Sequence, residues 1–241
     1  MEIKKIASRG YLFTFYDLGI PTNVYVIHAK KYIYVIDTYI GPLIMQEIMK
    51  YIETQCSNKE VIIINSHNHW DHVWGNCFFL SNIIISHVLC RKYMIEDGLR
   101  KLEMYKEFRK GDVILTNPNL TFTDRINFDE DNILIYHTPG HTDDSISVID
   151  LEDKVLFAGD NLERPIPYLM SKNLNQYIKT LENYINLDVE IVIGGHTACE
   201  NKDLIRDNLD YVSKVSVNNA KEFEEETYAD YHKTNMIWLN N

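Results

Sequence analysis

The stretch Ser66-His67-Asn68-His69-Trp70-Asp71-His72 contains three histidines and one carboxylate within six consecutive residues. Alternate residues of an extended chain share a face, so His67 and His69 direct their imidazoles to the same side, and the next turn brings Asp71 and His72 to a neighbouring point. Imidazole and carboxylate groups are ligands for zinc, iron, manganese or cobalt. The spacing therefore predicts a metal site, with a solvated polar loop as the alternative interpretation.

Further candidate ligands lie at the ends of other apolar runs. The motif itself follows Val61-Ile-Ile-Ile64, whose length and β-branching are typical of a strand buried on both faces. His141, Asp160 and His196 each follow an apolar run and a glycine, which is how a strand places a side chain in a cleft at the edge of a sheet. For Asp160, a helix N-cap in Asp160-Asn-Leu-Glu163 is the alternative interpretation.

The rest of the chain alternates between strand-like and helix-like segments. Apolar runs predict strands over 23–27, 32–36, 61–64, 83–85, near 120–122, and over 133–136, 145–149, 154–158 and 190–193. Periodic apolar positions predict helices over 42–54 and 171–186, with Ser171 as an N-cap, and one more through Ile205, Leu209 and Val212. The charged segment 88–109 is also predicted to be helical. This order predicts an α/β protein with two packed sheets. Because no linker interrupts it, we expect a single domain over residues 1–241.

The chain resembles the metallo-β-lactamase superfamily over nearly its whole length. The resemblance rests on these residues, which occur in the family's order: Asp37 after the second strand, the motif at 67–72, His141, Asp160 and His196. It implies an αββα sandwich of two mixed β-sheets flanked by helices. It also implies two divalent metal ions, zinc first, with iron or manganese as alternatives.

The resemblance assigns a role to each of these residues. One metal would be held by His67, His69 and His141, and a second by Asp71, His72 and His196. Asp160 would bridge the two metals, and Asp37 would be a buried carboxylate that fixes the ligand loops. A turn or cap residue is the alternative interpretation for Asp37.

The identity of residue 160 bears on the reaction. True dizinc β-lactamases of this superfamily tend to carry Cys or Ser there, whereas glyoxalase II, lactonases and related esterases keep Asp. The resemblance therefore implies a hydrolase of a small ester, thioester or lactone. Its mechanism would be attack by a water that two metals acidify to hydroxide, with Asp71 as the catalytic residue that orients this nucleophile.

Four residues are candidates for the substrate pocket. Trp70, Trp74 and Tyr168 are candidate walls, although large aromatic residues near a site are core residues at least as often. Trp74 also departs from the family pattern, which usually continues with glycine at that position. Arg164 is a candidate ligand for a substrate anion, with a surface ion pair as the alternative. Segments 88–131 and 161–171 are expected to form the rim.

Two other functions share the same fold. A persulfide dioxygenase, which is a mononuclear iron oxidoreductase, keeps the HxH pair, the later histidine and the aspartate. A phosphodiesterase or nuclease ranks third, because 24 basic and 35 acidic residues give a net charge of −11 and no basic cluster stands out. We therefore expect a small-molecule substrate and no nucleic-acid partner.

Composition and length set further expectations. At 241 residues the chain leaves little room for an appended substrate domain. The charged N-terminus does not fit a signal peptide, and no apolar run has the length of a membrane span. The four cysteines lack the spacing of a disulfide framework or a CxxC motif. We expect a reduced, cytoplasmic protein without a membrane partner; the oligomeric state is left open, a homodimer included.

Overall fold

The first β-sheet is mixed and contains seven strands. The structure is a computed structural model that describes residues 1–55, 59–225 and 227–240. The strands of this sheet, in spatial order, are β1 (Glu2–Ile6), β2 (Gly10–Phe15), β3 (Thr22–His28), β4 (Ile33–Ile36), β5 (Val61–Ile64), β6 (Ile83–His87) and β7 (Leu120–Phe122). Pairing is antiparallel from β1 to β4 and parallel from β4 to β7.

The second sheet is also mixed and contains five strands. In spatial order they are β12 (Ile191–Gly194), β11 (Val155–Gly159), β10 (Ile146–Asp150), β9 (Ile133–His137) and β8 (Arg125–Phe128). Only the β11–β12 pair is parallel. These twelve strands are those of the described residues.

Helices cover the outer face of each sheet. The first sheet packs against α1 (Pro42–Gln55), α2 (Trp70–Val73) and α3 (Val88–Met104). The second packs against α4 (Leu174–Asn186), α5 (Asp203–Ser216) and α6 (Ala229–Asn240). The predicted αββα sandwich is therefore confirmed.

Side-chain alternation explains why the central strands are apolar at every position. Along β4, Ile33 and Val35 pack with the helices, whereas Tyr34 and Ile36 pack into the layer between the sheets. Successive residues of a strand point to opposite faces, so a strand with both faces covered needs apolar residues throughout. The same arrangement in β5 accounts for the run of four β-branched residues before the histidine motif.

Several predicted boundaries need correction. The side chain of Asn173, rather than Ser171, caps α4 by accepting a hydrogen bond from the backbone N–H of Gln176. Ser171 instead donates a hydrogen bond to Asp143. The strands β1, β2 and β8 and the helix α6 were not predicted.

The structure also bears on the expectations about membrane-spanning helices and about cysteine residues. Among the described residues, no helix has both the length and the apolarity needed to cross a membrane. Cys77, Cys90 and Cys199 are free thiols. Cys56 lies outside the described residues.

Candidate metal centre

The seven predicted ligands lie together at the carboxyl ends of strands from both sheets. His67, His69, His141 and Asp160 form one group, in which the ligand atoms all lie within 4.8 Å of one another. Asp71, His72 and His196 form a second group by the same criterion. The motif follows β5, whereas the other ligands follow β9, β11 and β12, so the site spans the junction of the two sheets.

Asp160 lies between the two groups. Its Oδ2 is 3.4 Å from Nε2 of His67 and 3.6 Å from Nε2 of His141. Its Oδ1 is 3.3 Å from Nε2 of His72, and its Oδ2 is 3.4 Å from Nε2 of His196. One carboxylate thus contacts histidines of both groups, which is the position that a bridging ligand requires.

Hydrogen bonds on the far side of each ring fix the orientation of four imidazoles. Nδ1 of His72 donates to Asp37 Oδ2 at 2.8 Å, and Nδ1 of His141 donates to the carbonyl of Tyr168 at 2.9 Å. Nδ1 of His196 donates to the carbonyl of Pro21 at 3.0 Å. In the neutral form of each ring, these hydrogen bonds place the proton on Nδ1 and leave the Nε2 lone pair facing the centre.

The fourth imidazole is oriented through Ser66. The hydroxyl of Ser66 donates to Asp37 Oδ2 at 2.7 Å, so its oxygen accepts from Nδ1 of His67 at 3.0 Å. His69 differs, since its Nδ1 faces the centre at 3.2 Å from Nε2 of His141.

Asp37 holds the motif in place from below. The carboxylate is fully buried and accepts hydrogen bonds from the Ser66 N–H, the Ser66 hydroxyl and His72. Its backbone has φ 63°, a left-handed conformation that non-glycine residues rarely adopt. An unfavourable backbone conformation therefore occurs at the residue whose carboxylate binds both Ser66 and His72, at the two ends of the motif.

Two buried polar atoms of the centre have no hydrogen-bond partner among the described residues. They are Nε2 of His67 and Oδ1 of Asp160. An unpaired buried polar atom is costly, and native structures leave few of them. Both atoms face the other ligands, so a bound cation would satisfy them. The donor set of imidazoles and carboxylates therefore fits a metal ion.

Protonation differs between the two groups. Burial lowers the pKa of His141 to about 4 and also lowers the pKa of His69, so both rings are neutral at neutral pH, as a ligand must be. Burial acts in the same direction on His72 and His196, but the negative charges of Asp160 and Asp71 together outweigh it and raise the pKa of both. The second group thus attracts positive charge, which a proton or a metal ion can supply.

Glycine is required at position 195, where the chain passes the ligands. A Cβ there would overlap Oδ1 of Asp160 and crowd His72. We expect Gly195→Ala to displace the Asp160 carboxylate and weaken metal binding by about 10- to 100-fold, measured by competition with a chelator of known affinity. Gly98→Ala is the matched control, because its Cβ meets only the flexible end of Leu115. Equal metal affinity in the two variants would contradict this prediction.

The predicted pocket residues occupy different places. Trp70 and Tyr168 line cavities next to the ligands. Trp74 does not: it is 2% exposed and packs in the core on the outer face of the first sheet, so the prediction that it forms a pocket wall is wrong. The prediction that Arg164 binds a substrate anion also needs correction in favour of the alternative, an ion pair. Its guanidinium pairs with Glu200 at 2.7 Å and Asp207 at 2.6 Å and lines a separate cavity.

Asp160 is not a helix cap. Residues 160–173, all of which the structure describes, form turns and loop before α4 begins. The capping interpretation is therefore wrong.

Sequence reasoning missed several residues that line the cleft. Glu163 is 3% exposed and faces the centre; burial, followed by the charge of Asp160, raises its pKa to about 8. Ile20, Met170 and Trp238 also line the cleft. No motif marks these positions, and Trp238 lies on α6, which was itself not predicted.

Comparisons with known proteins identify a matching family and two relatives. A family model described as "Metallo-beta-lactamase superfamily" matches residues 18–196. The chain is 23% identical over 232 residues to a human protein named "Acyl-coenzyme A thioesterase MBLAC2", which covers 84% of this chain and 83% of that protein. A bovine protein of the same name gives the same values.

Solved structures show the same fold at lower identity. The structure of DIM-1 metallo-β-lactamase has a TM-score of 0.72 and 17% identity, covering 89% of this chain and 97% of that one. A metallo-β-lactamase from Hirschia baltica has a TM-score of 0.70 and 20% identity, covering 88% and 97%. These likenesses concern the fold alone.

Proposed function

Because this chain belongs to the metallo-β-lactamase superfamily and is a metallohydrolase, we propose that it hydrolyses acyl thioesters of coenzyme A at a centre of two divalent metal ions. Zinc is the first candidate for both ions, with manganese or iron as alternatives. Small esters and lactones are further substrates of the same carbonyl chemistry.

The position of Asp160 carries the dinuclear part of this proposal. Its two oxygens contact His67 and His72, which belong to different ligand groups. Apart from Asp160, each group contributes three ligands, so a shared carboxylate would complete both coordination sets. Two metals in such sites lie about 3.5–4 Å apart and act together on an attacking and a leaving group.

The chain's own residues would position and deprotonate the nucleophile. Bound metals would supply Lewis acidity toward a water and toward the substrate carbonyl. Asp71 would accept the hydrogen bond of this water, because its Oδ2 lies 3.3 Å from His196 and its side chain is 14% exposed toward the cleft. The negative charge of Asp71 persists at neutral pH because, although burial opposes ionisation, the neighbouring His72 and His196 lower its pKa.

The thioester part rests on the relatives and on the residue at position 160. The human and bovine relatives are named acyl-coenzyme A thioesterases. The family resemblance associates Asp at position 160 with thioesterases and lactonases rather than with true β-lactamases. Both observations favour a carbonyl substrate with a thiolate or alkoxide leaving group.

Metal removal tests the proposal directly. We expect two zinc or manganese ions per chain by elemental analysis, and acyl-coenzyme A hydrolysis that falls at least 100-fold after chelation and returns when either metal is added. The metal-free protein should also unfold at a lower temperature, because a ligand at 100 times its dissociation constant stabilises by about 2.7 kcal/mol. Dialysis without chelator is the control.

The same measurement distinguishes the alternative functions. One iron per chain, together with oxygen consumption, would indicate a persulfide dioxygenase instead of a thioesterase. Cleavage of a phosphodiester, with binding that weakens steeply as salt rises, would indicate a nuclease instead.

We also propose that residues 1–241 act as a single domain in the cytoplasm. The free thiols of Cys77, Cys90 and Cys199 are consistent with a reducing compartment.

A further inference from the structure

The cleft over the metal centre has two lobes that meet at the ligands. The apolar lobe, about 240 Å³, is lined beyond the ligands by Glu163 and by Ile20, Tyr168, Met170, Thr234 and Trp238. The basic lobe, about 380 Å³, is lined by Trp70, Asp97, Arg100, Lys101, Tyr105 and Thr142. His69, Asp71, Met170 and Trp238 belong to both linings. A substrate whose reacting carbonyl lies at this junction can extend one arm into each lobe.

Lys101 is the inner cation of the basic lobe. Its side chain is only 17% exposed, and its ammonium donates a hydrogen bond to Asn68 Oδ1 at 2.7 Å. Asn68 in turn donates to the buried Asp144 at 2.9 Å. Since an ammonium has three donors, Lys101 retains hydrogen-bonding capacity toward a ligand. Its carbon stem and the half-buried ring of Trp70 form the side wall.

Arg100 is the outer cation of the same lobe. Its side chain is 59% exposed, and its guanidinium pairs with Asp97 at 2.5 Å and 2.7 Å. An exposed ion pair three residues apart on a helix contributes little. A phosphate can accept the same two parallel hydrogen bonds that the guanidinium now donates to Asp97, so Arg100 can exchange Asp97 for a phosphate at the mouth of the lobe.

Charge and polarity therefore differ along the two arms of the cleft. From the metal ligands outward, the basic lobe is lined first by the partly buried ammonium of Lys101 and the indole ring of Trp70, and then by the exposed guanidinium of Arg100. The leaving arm of an acyl-coenzyme A has a matching order, with amide groups next to the thioester and phosphates farther away. The lining of the apolar lobe contains no lysine or arginine, which suits an acyl chain.

We propose, on the basis of the thioesterase function above, that the basic lobe binds the leaving arm of coenzyme A and the apolar lobe binds the acyl chain. Lys101 donates to an amide carbonyl of the pantetheine portion, and Arg100 binds a phosphate. These two side chains thereby determine the leaving-group specificity of the enzyme.

A truncation series tests the role of Arg100. We expect Arg100→Gln to raise the KM for acyl-coenzyme A about tenfold more than the KM for the same acyl pantetheine, which has no phosphate. The matched control is Arg206→Gln, because Arg206 is 58% exposed and forms the same i,i+3 pair with Asp203 on α5, away from both lobes. High salt should reduce the difference between the KM values of the wild type and Arg100→Gln for acyl-coenzyme A, because it screens the charge of the phosphate.

Lys101 is tested by a second comparison. We expect Lys101→Met, which keeps the apolar stem, to raise the KM for acyl pantetheine at least fivefold more than for a thioester of ethanethiol, which has no amide. Because Lys101 contacts the motif through Asn68, metal content is measured in parallel. Unchanged metal content with a substrate-dependent KM supports the proposal.

Direct binding separates failure of this inference from failure of the proposed function. Desulfo-coenzyme A, which lacks the thiol, is titrated into the metal-loaded protein by calorimetry. We expect wild-type binding and about tenfold weaker binding by Arg100→Gln. If thioesters are hydrolysed but Arg100→Gln and Lys101→Met change every substrate equally, the lobe assignment is wrong while the thioesterase stands. If no thioester is hydrolysed and desulfo-coenzyme A does not bind, both are wrong.

Discussion

Asp71→Asn is expected to lower kcat/KM for a thioester about 1000-fold. The amide keeps the shape of the side chain but removes the negative charge that accepts the hydrogen bond of the nucleophile, and positioned proton acceptors contribute about 10²- to 10⁴-fold. Asp71 is also the only carboxylate in the group with His72 and His196, so the variant should hold the second metal more weakly. Steady-state kinetics and metal analysis on the same sample measure both effects.

The control for this variant is Asp124→Asn, at an aspartate that is 91% exposed. Its rates should equal those of the wild type. Esters, lactones, thioesters and phosphodiesters should be assayed as a panel. If Asp71→Asn hydrolyses every substrate of the panel at the wild-type rate, the proposed mechanism is wrong.

Asp37→Ala is expected to lower the free energy of unfolding by about 3–5 kcal/mol. The carboxylate is buried and accepts from three donors, so truncation leaves the Ser66 N–H, its hydroxyl and His72 without their partner. Urea denaturation of the metal-free protein measures this loss separately from any loss of metal.

Asp17→Ala provides the comparison, because Asp17 is 37% exposed and pairs with Lys110 at the surface. That change should stay within about 0.5 kcal/mol. A loss below about 1 kcal/mol in Asp37→Ala would show that the hydrogen bonds around the motif do not stabilise the fold.

The central strands and the clustering of the seven candidate ligands could be predicted from the sequence because their signals are local. Val61–Ile64 has a continuous apolar run since both faces are covered, and the histidine motif follows it directly. The hairpin of β3 and β4 and the amphipathic helices α1 and α5 also have clear periodicity. In each of these elements, the pattern of apolar residues over a short segment indicates which faces are buried.

The edge strands could not be predicted in the same way. β1 reads Glu-Ile-Lys-Lys-Ile and is exposed at four of its five positions. A strand at the edge of a sheet often carries charged side chains that prevent further pairing, so it lacks the apolar signature of a central strand. β8 lies at the edge of the second sheet and alternates exposed with half-buried residues.

The pocket residues were the least predictable part of the site. Whether Trp74 faces the cleft or the core depends on the turn that follows α2, where the backbone amides of Trp74 and Gly75 both donate to the carbonyl of Tyr39. The partner of Arg164 is Glu200, which lies far along the chain. Trp238 reaches the cleft only because α6 packs beside it. These contacts arise from tertiary packing, which a single sequence does not encode locally.

Because its candidate ligands come from both sheets, the proposed metal centre is complete only when the two sheets are docked. A chain that has folded only through β7 holds His67, His69, Asp71 and His72 but lacks His141, Asp160 and His196. Such an intermediate offers a metal a half-formed coordination sphere without the bridging carboxylate. Full uptake of the proposed metals would therefore require the second sheet to have docked, and metal content would distinguish completely folded molecules from such an intermediate.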